Sequence, residues 1–130
     1  MNCAYNAISA LARVQYGELI ADERVRELMV RVVEEVVAVA AASGVALPGQ
    51  DLTKAVFDLG RSMATATSST AQDLARGRRT EIDALNGFIA HEGERLGIPA
   101  PCNRTLHALV KLLERASTVH ATGTLGSGRP

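Results

Sequence analysis

Two asparagines, Asn2 and Asn6, stand four residues apart at the start of the chain. On a helix that spacing places them on one face, one turn apart. Asparagine is a modest helix former, so two in one stripe call for an explanation. Their amides can donate and accept hydrogen bonds to a small polar ligand. The same pair also suits a structural use, with Asn2 at a helix start and Asn6 buried and satisfied by backbone. Ser68 and Ser69 open the stretch Ser-Ser-Thr-Ala-Gln-Asp at 68–73. Ser69 followed three residues later by Gln72 fits a capping box. A hydroxyl beside the free N–H groups of a helix start also suits a carboxylate. Glu81 opens another helical stretch, where its charge complements the macrodipole. Arg76, Arg78 and Arg79 form a basic loop that can hold an anion or lie in solvent.

Other chemistries lack their residues. His91, His107 and His120 show no metal-ligand spacing and read as surface or boundary histidines. No serine sits in a nucleophile elbow. Gly123, Gly126 and Gly128 run in the order GxxGxG and the sequence ends two residues later, so they cannot open a helix onto a pyrophosphate. No P-loop is present, and no cofactor-binding residue is assigned. Cys3 and Cys102, far apart, read as free thiols of a reducing compartment. Fourteen basic residues balance fourteen acidic ones. A nucleic-acid binder ordinarily carries a basic excess, so nucleic acid is not an expected partner. The N-terminus lacks the basic region of a signal peptide. The most apolar run, Met29 to Ala42, is interrupted by Arg31, Glu34 and Glu35 and is too short for a bilayer. No membrane partner is expected, and the location expected is the cytoplasm.

The elements that must position these residues read as helices. The chain has 130 residues, 47% hydrophobic but only 3% aromatic, which suits one domain with an Ala, Val, Leu and Ile core. A first helix spans Asn2 to about Val14, with Gly17 as its end. Asp22 caps a second, running to about Ser43 before Gly44, with Val25, Leu28, Val32, Val36 and Val39 in one stripe. That helix reads as the central core element. LPGQ at 47–50 turns the chain, and Asp51 caps a third helix from Leu52 to about Thr65. A helix restarts at the serines. Thr80 caps another from Glu81 to about Leu96, with Ile82, Leu85, Phe88 and Ile89 inward. Gly97 stops it, and Pro99 and Pro101 mark the break. Asn103 or Thr105 caps the last. No stretch alternates with period two. The expectation is an all-α fold: a compact bundle of five to six helices over residues 1–118, with 119–130 as a flexible tail.

Read together, the segments resemble a known family. Asn-Cys-Ala-Tyr-Asn at 2–6, Ser-Ser-Thr-Ala-Gln-Asp at 68–73, Gly-Arg-Arg-Thr-Glu-Ile-Asp-Ala-Leu-Asn-Gly at 77–87 and Gly-Ile-Pro-Ala-Pro-Cys-Asn at 97–103 follow the order and spacing of ketopantoate reductases, also called 2-dehydropantoate 2-reductases. The resemblance is to their C-terminal helical domain and spans roughly residues 2–114, with Thr-Glu-Ile-Asp-x-Leu-Asn-Gly its most specific part. It implies a helical domain of the 6-phosphogluconate-dehydrogenase C-terminal type that binds substrate and dimerises. It also implies a reaction, reduction of 2-dehydropantoate to pantoate on the route to pantothenate, with NADPH held by an N-terminal Rossmann domain. Under the resemblance Asn2, Asn6 and Ser69 bind substrate, and Glu81 is catalytic, an acidic residue beside the reacting centre. The oligomer it implies is a homodimer.

The departures set further expectations. The family's catalytic lysine falls about one turn before the first asparagine, which here lies upstream of Met1. The Rossmann domain is likewise expected to be absent. Thr70 stands where the family usually has Met, and Tyr16 where a polar residue often follows the first helix. The chain alone is therefore expected to bind no cofactor, NADPH belonging to the full-length family, and to be inactive in isolation. Two alternatives stay open: one chain of a split reductase, and a non-catalytic interaction module that kept the fold.

Overall fold

The computed structural model describes the backbone of residues 1–123 and the side chains of residues 1–118. Seven α-helices succeed one another: α1 (Asn2–Ala12), α2 (Tyr16–Ala21), α3 (Glu23–Ala42), α4 (Leu52–Ser62), α5 (Ser69–Ala75), α6 (Asn86–Leu96) and α7 (Pro101–Gly123). A 3-10 turn at Ile82–Ala84 precedes α6, and no strand occurs among the described residues. The fold is all-helical, with more helices than the five to six expected. Residues 119–123 of the stretch read as a tail continue α7, and 124–130 lie outside the described residues.

The extra helix arises around Gly17. Arg13, with φ 57°, ends α1 in the left-handed region, and its N–H bonds Ser9 O. Gln15 and Glu18 then form a capping box that starts α2. Gly17 does not terminate a helix. It lets α2 approach the 63–67 loop, where its N–H bonds Ala64 O at 2.9 Å. A Cβ at that position would lie 3.0 Å from both Ala64 Cβ and Ala64 O.

The stretch from Glu81 to Leu96 is not one helix. The 3-10 turn ends at Leu85, whose φ of −106° and ψ of −103° break the path before α6 begins. The break rotates the phase of α6, and Phe88, expected inward, is 54% exposed. Pro101 opens α7 rather than marking a gap before it, since a first-turn proline loses no helical bond. Asn103 consequently lies inside the helix and is buried. The ends of α3 match expectation: Asp22 Oδ1 accepts from the N–H groups of Arg24 and Val25, and Gly44 adopts φ 72° beyond the last turn.

The central element is α1, not α3. Every residue from Ala4 to Ala10 is buried. A helix covered all round must carry small side chains where neighbours press closest, and Ala4, Ala7 and Ala10 supply them. α3, α5 and α7 pack around it. Tyr5, the largest buried side chain of α1, donates from its hydroxyl to Val56 O at 2.6 Å and lies against Tyr16, ring centroids 4.3 Å apart. α3 buries Met29, Val32, Val33 and Val39, while Val37 is exposed.

Candidate functional site

The amide stripe of α1 meets the start of α5. Asn6 is buried, and its Nδ2 approaches Ser69 Oγ at 3.4 Å, a long hydrogen bond. The neighbouring serine does the structural work. Ser68 is buried with extended backbone; its hydroxyl accepts from Ala71 N–H at 3.1 Å and donates to Asn6 O at 3.1 Å. Ser68 is therefore the N-cap, and the capping box read from Ser69 and Gln72 does not form. The cause is register: the two bonds made by Ser68 place it one residue outside the helix, and Ser69 becomes the first helical residue. Ser69 is exposed and retains a hydroxyl proton to donate. Asn2 is exposed one turn earlier on α1, with no hydrogen bond from its side chain among the described residues.

Two departures from the family pattern have clear places. Thr70 is buried, and its Oγ1 has no partner among the described residues, so a hydroxyl occupies a spot where an apolar side chain would leave nothing unpaired. Tyr16 is buried against Tyr5 and belongs to the core.

Glu81 lies at the entrance to the 3-10 turn, exposed, its carboxylate without a partner among the described residues. No hydrogen bond joins it to Asn2, Asn6 or Ser69. Its neighbours, by contrast, are firmly held. Thr80 donates from both N–H and hydroxyl to Glu114 Oε1, at 2.8 and 2.6 Å. Asp83 accepts from His107 Nε2 at 2.7 Å, Arg79 Nη2 at 3.0 Å and Lys111 Nζ at 3.1 Å. These bonds, that of His107 foremost, hold the Asp83 carboxyl well below the usual carboxylate range. Burial pushes the Glu114 carboxyl up, but Lys111 and the bonds from Thr80 outweigh it and leave it below its ordinary value. Arg79 of the basic loop is thus paired internally, and His107 is engaged by a carboxylate. No group of three His, Cys, Asp or Glu side chains among the described residues could hold a metal.

Of three residues that tie this region together, Asn86 and Glu35 were not expected to matter to the site, and Asn103 was expected only as a cap of the last helix. Asn86 is fully buried and donates from Nδ2 to Cys3 O at 2.9 Å and to Asn103 Oδ1 at 3.0 Å. Asn103 donates to Glu35 Oε2 at 2.7 Å and to Val32 O at 3.3 Å. Glu35 also accepts from the backbone N–H groups of Cys102 and Asn103, at 2.8 and 2.9 Å. Asn86 thereby ties the start of α6 to the first turn of α1. A signal existed in Gly87: a Cβ there would meet the His107 ring at 2.8 Å, so the Asn-Gly pair marks a close approach.

Fold and site together define an all-helical domain whose buried first helix presents the Asn6 amide to the start of a neighbouring helix. The sequence matches the family model described as ketopantoate reductase PanE/ApbA C terminal over residues 1–114. The chain belongs to the ketopantoate reductase C-terminal domain family. It is 38% identical over 114 residues to the 2-dehydropantoate 2-reductase of Pyrobaculum aerophilum, covering 88% of this chain and 40% of that protein. It is 32% identical over 116 residues to the enzyme of the same name from Vibrio cholerae, covering 89% of this chain and 39% of that one. Among solved structures, a PanE/ApbA family ketopantoate reductase from Ralstonia eutropha superposes with TM-score 0.86 at 52% identity, over 89% of this chain and 39% of that chain. A D-mandelate dehydrogenase solved with NADH and anilino(oxo)acetate superposes with TM-score 0.78 at 26% identity, over 89% of this chain and 38% of that chain. The chain thus spans about two fifths of the length of the relatives it matches. No helix among the described residues is long and apolar enough to cross a membrane.

Proposed function

We propose that the chain is the substrate-closing half of a cytoplasmic, NADPH-dependent 2-dehydropantoate 2-reductase, its nucleotide half supplied by residues outside these 130. The observation that carries the reading is the meeting of Asn6 and Ser69, from helices 63 residues apart in sequence. The names of the relatives support the choice of reaction. Asn2, Asn6 and Ser69 bind the substrate, and Glu81 acts at the reacting centre. Reduction of a ketone needs a hydride source and a charge or proton partner for the developing alkoxide. The hydride belongs to the nucleotide half, and no step of it is assigned to these residues.

What these residues contribute is a fixed wall. Ser68 holds the Asn6 carbonyl and, through it, the approach of α1 to α5. Ser69 accepts from Asn6 and keeps its own proton to donate to a substrate carboxylate or hydroxyl. Glu81, unpaired among the described residues, is available for proton transfer or for a substrate hydroxyl. Groups held this way lower the barrier by orientation, and without the hydride source the isolated chain has no turnover. The reductase is a homodimer in this reading, which exposed Leu109 and Leu112 on α7 support. A strict monomer on sedimentation at micromolar concentration counts against that part.

The test joins the chain to the nucleotide domain of the Pyrobaculum aerophilum relative and monitors NADPH oxidation. Turnover of 2-dehydropantoate is expected, with Asn6→Ala and Ser69→Ala raising KM about tenfold, as loss of a hydrogen bond to the substrate does. A folded chimera that binds NADPH yet reduces no 2-keto acid overturns the proposal. It would favour a non-catalytic helical module.

A further inference from the structure

Glu81 is the one proposed catalytic residue, and no hydrogen bond to its side chain holds it among the described residues. Its side chain is exposed and unpartnered among the described residues, and it stands at the entrance to a three-residue turn. Yet the residues on either side of it are fastened to α7. Glu114 takes both donors of Thr80 on one oxygen, at 2.8 and 2.6 Å. Two residues after Glu81, Asp83 is gripped by His107 and Lys111 of the same helix, at 2.7 and 3.1 Å. Lys111 also reaches Glu114 Oε2 at 2.6 Å, so the bonds on Thr80 and on Asp83 converge on linked partners of one helix.

Glu114 is the unusual member. Its side chain is only 11% exposed, whereas that of Asp83 is 40% exposed. A carboxylate so enclosed loses much of its hydration, and retains its charge only where donors replace the water. Two of those donors belong to Thr80, the residue adjoining Glu81, rather than to the helix that carries Glu114. Thr80 uses the same hydroxyl to accept from Ile82 N–H at 3.2 Å, so the bond spans Glu81 and ties its two neighbours to one point.

We infer that Glu114 is a positioning residue for Glu81, holding Thr80, and with it the backbone of Glu81, against α7. The inference rests on the catalytic reading of Glu81. Its chemistry is mechanical. A carboxylate with no partner swings with its backbone, and a displacement of about 1 Å at a reacting centre costs as much as a hundredfold in rate. Glu114 does not touch the substrate in this arrangement, so its effect passes through Glu81.

Two measurements separate the clamp from the reaction. In the 130-residue chain, Glu114→Ala should speed amide hydrogen exchange from Thr80 to Ala84 while sparing α1 and α3. Thr80→Val, which removes only the hydroxyl, should do the same more weakly, and it serves should Glu114→Ala fail to fold. Unchanged exchange at these amides in a folded variant overturns the clamp, whatever the activity. In the chimeric reductase, Glu114→Ala should lower kcat about tenfold with KM within about twofold, and Thr80→Ser should retain wild-type kcat. In a Glu81→Gln background, Glu114→Ala should cause no further loss. An equal loss in both backgrounds overturns the inference and leaves the proposed function standing. A kcat untouched by Glu81→Gln removes the catalytic reading of Glu81, and this role of Glu114 with it.

Discussion

Glu35 of α3 receives both the backbone N–H and the side-chain amide of Asn103 on a single oxygen, at 2.9 and 2.7 Å. Its other oxygen takes the N–H of Cys102 at 2.8 Å. A helix leaves its first N–H groups without internal partners, and an anion there also meets the positive end of the dipole. α7 therefore begins with a cap supplied by another helix. The arrangement makes the start of α7 depend on α3, and links both to α1 through Asn86.

Glu35→Ala should destabilise the domain by about 2–4 kcal/mol, because charge-assisted bonds are lost and the N–H groups stay half-buried. Glu35→Gln should cost less, since one oxygen still accepts. Urea denaturation with a fixed m-value measures both. A change in Glu35→Ala below about 0.5 kcal/mol, the range of an ordinary surface substitution, would show that water caps α7 equally well.

Asn86 makes a sharper test, because its Nδ2 faces two acceptors, Cys3 O and Asn103 Oδ1. Asn86→Asp places a carboxylate against both. Ionised, it has no donor and repels its neighbours, a penalty of about 3 kcal/mol or more at pH 7. Protonated, it can donate one bond. The folded-state pKa of the new carboxyl is thus raised above its unfolded value, and the folded state binds more protons. Stability of Asn86→Asp should then rise as pH falls from 7 toward the ordinary carboxylate value of about 4. Melting curves over that range check it, and a variant whose penalty is flat with pH would contradict the assigned orientation of the amide.

The wild-type protein should respond to acid in the opposite sense. The Asp83 carboxyl is depressed by His107, Arg79 and Lys111. That of Glu114 is raised by burial, but Lys111 and Thr80 bring it below its ordinary value. Both folded-state values lie below the unfolded ones, so the folded state binds fewer protons. Their contribution is fully present above about pH 5 and is lost as pH falls through the depressed values. Asp83→Asn should flatten the acid limb of the stability curve. An acid limb identical to wild type would show that these bonds do not persist in solution.

Much of this architecture was legible in local signals. Asp22 and Gly44 bound α3 because a cap acts within three residues and a left-handed residue ends a helix wherever it falls. The start of α6 was not legible. A helix continued from Glu81 has the right apolar spacing to bury Phe88, and the bond that ties Asn86 at the start of α6 joins it to Cys3, 83 residues away, beyond the reach of any local signal. Glu35 read as an interruption in an apolar run because its partners lie 67 and 68 residues on. α1 looked less central than α3 because alanine carries little hydrophobic signal, although small side chains are what let three helices close on it. Asn6 and Ser69 were legible as candidates by type and by resemblance, while the exchange of roles between Ser68 and Ser69 needed the backbone at Ser68.

That exchange yields the most direct separation of structure from function. Ser68 is buried, caps α5 through Ala71 and bonds Asn6 O. Ser68→Ala removes a cap and strands a buried partner, so it should cost about 1–2 kcal/mol of stability. Ser69 is exposed and its one bond, from Asn6, is long. Ser69→Ala should stay within about 0.5 kcal/mol of wild type. In the chimeric reductase the order should reverse: Ser69→Ala raises KM for the 2-keto acid, while Ser68→Ala, assayed well below its melting temperature, leaves KM near wild type. Thermal melts and steady-state kinetics on the two variants decide the matter. If Ser69→Ala proves destabilising and kinetically silent, Ser69 is a structural residue and the substrate contact must be sought further along the stripe, at Asn2.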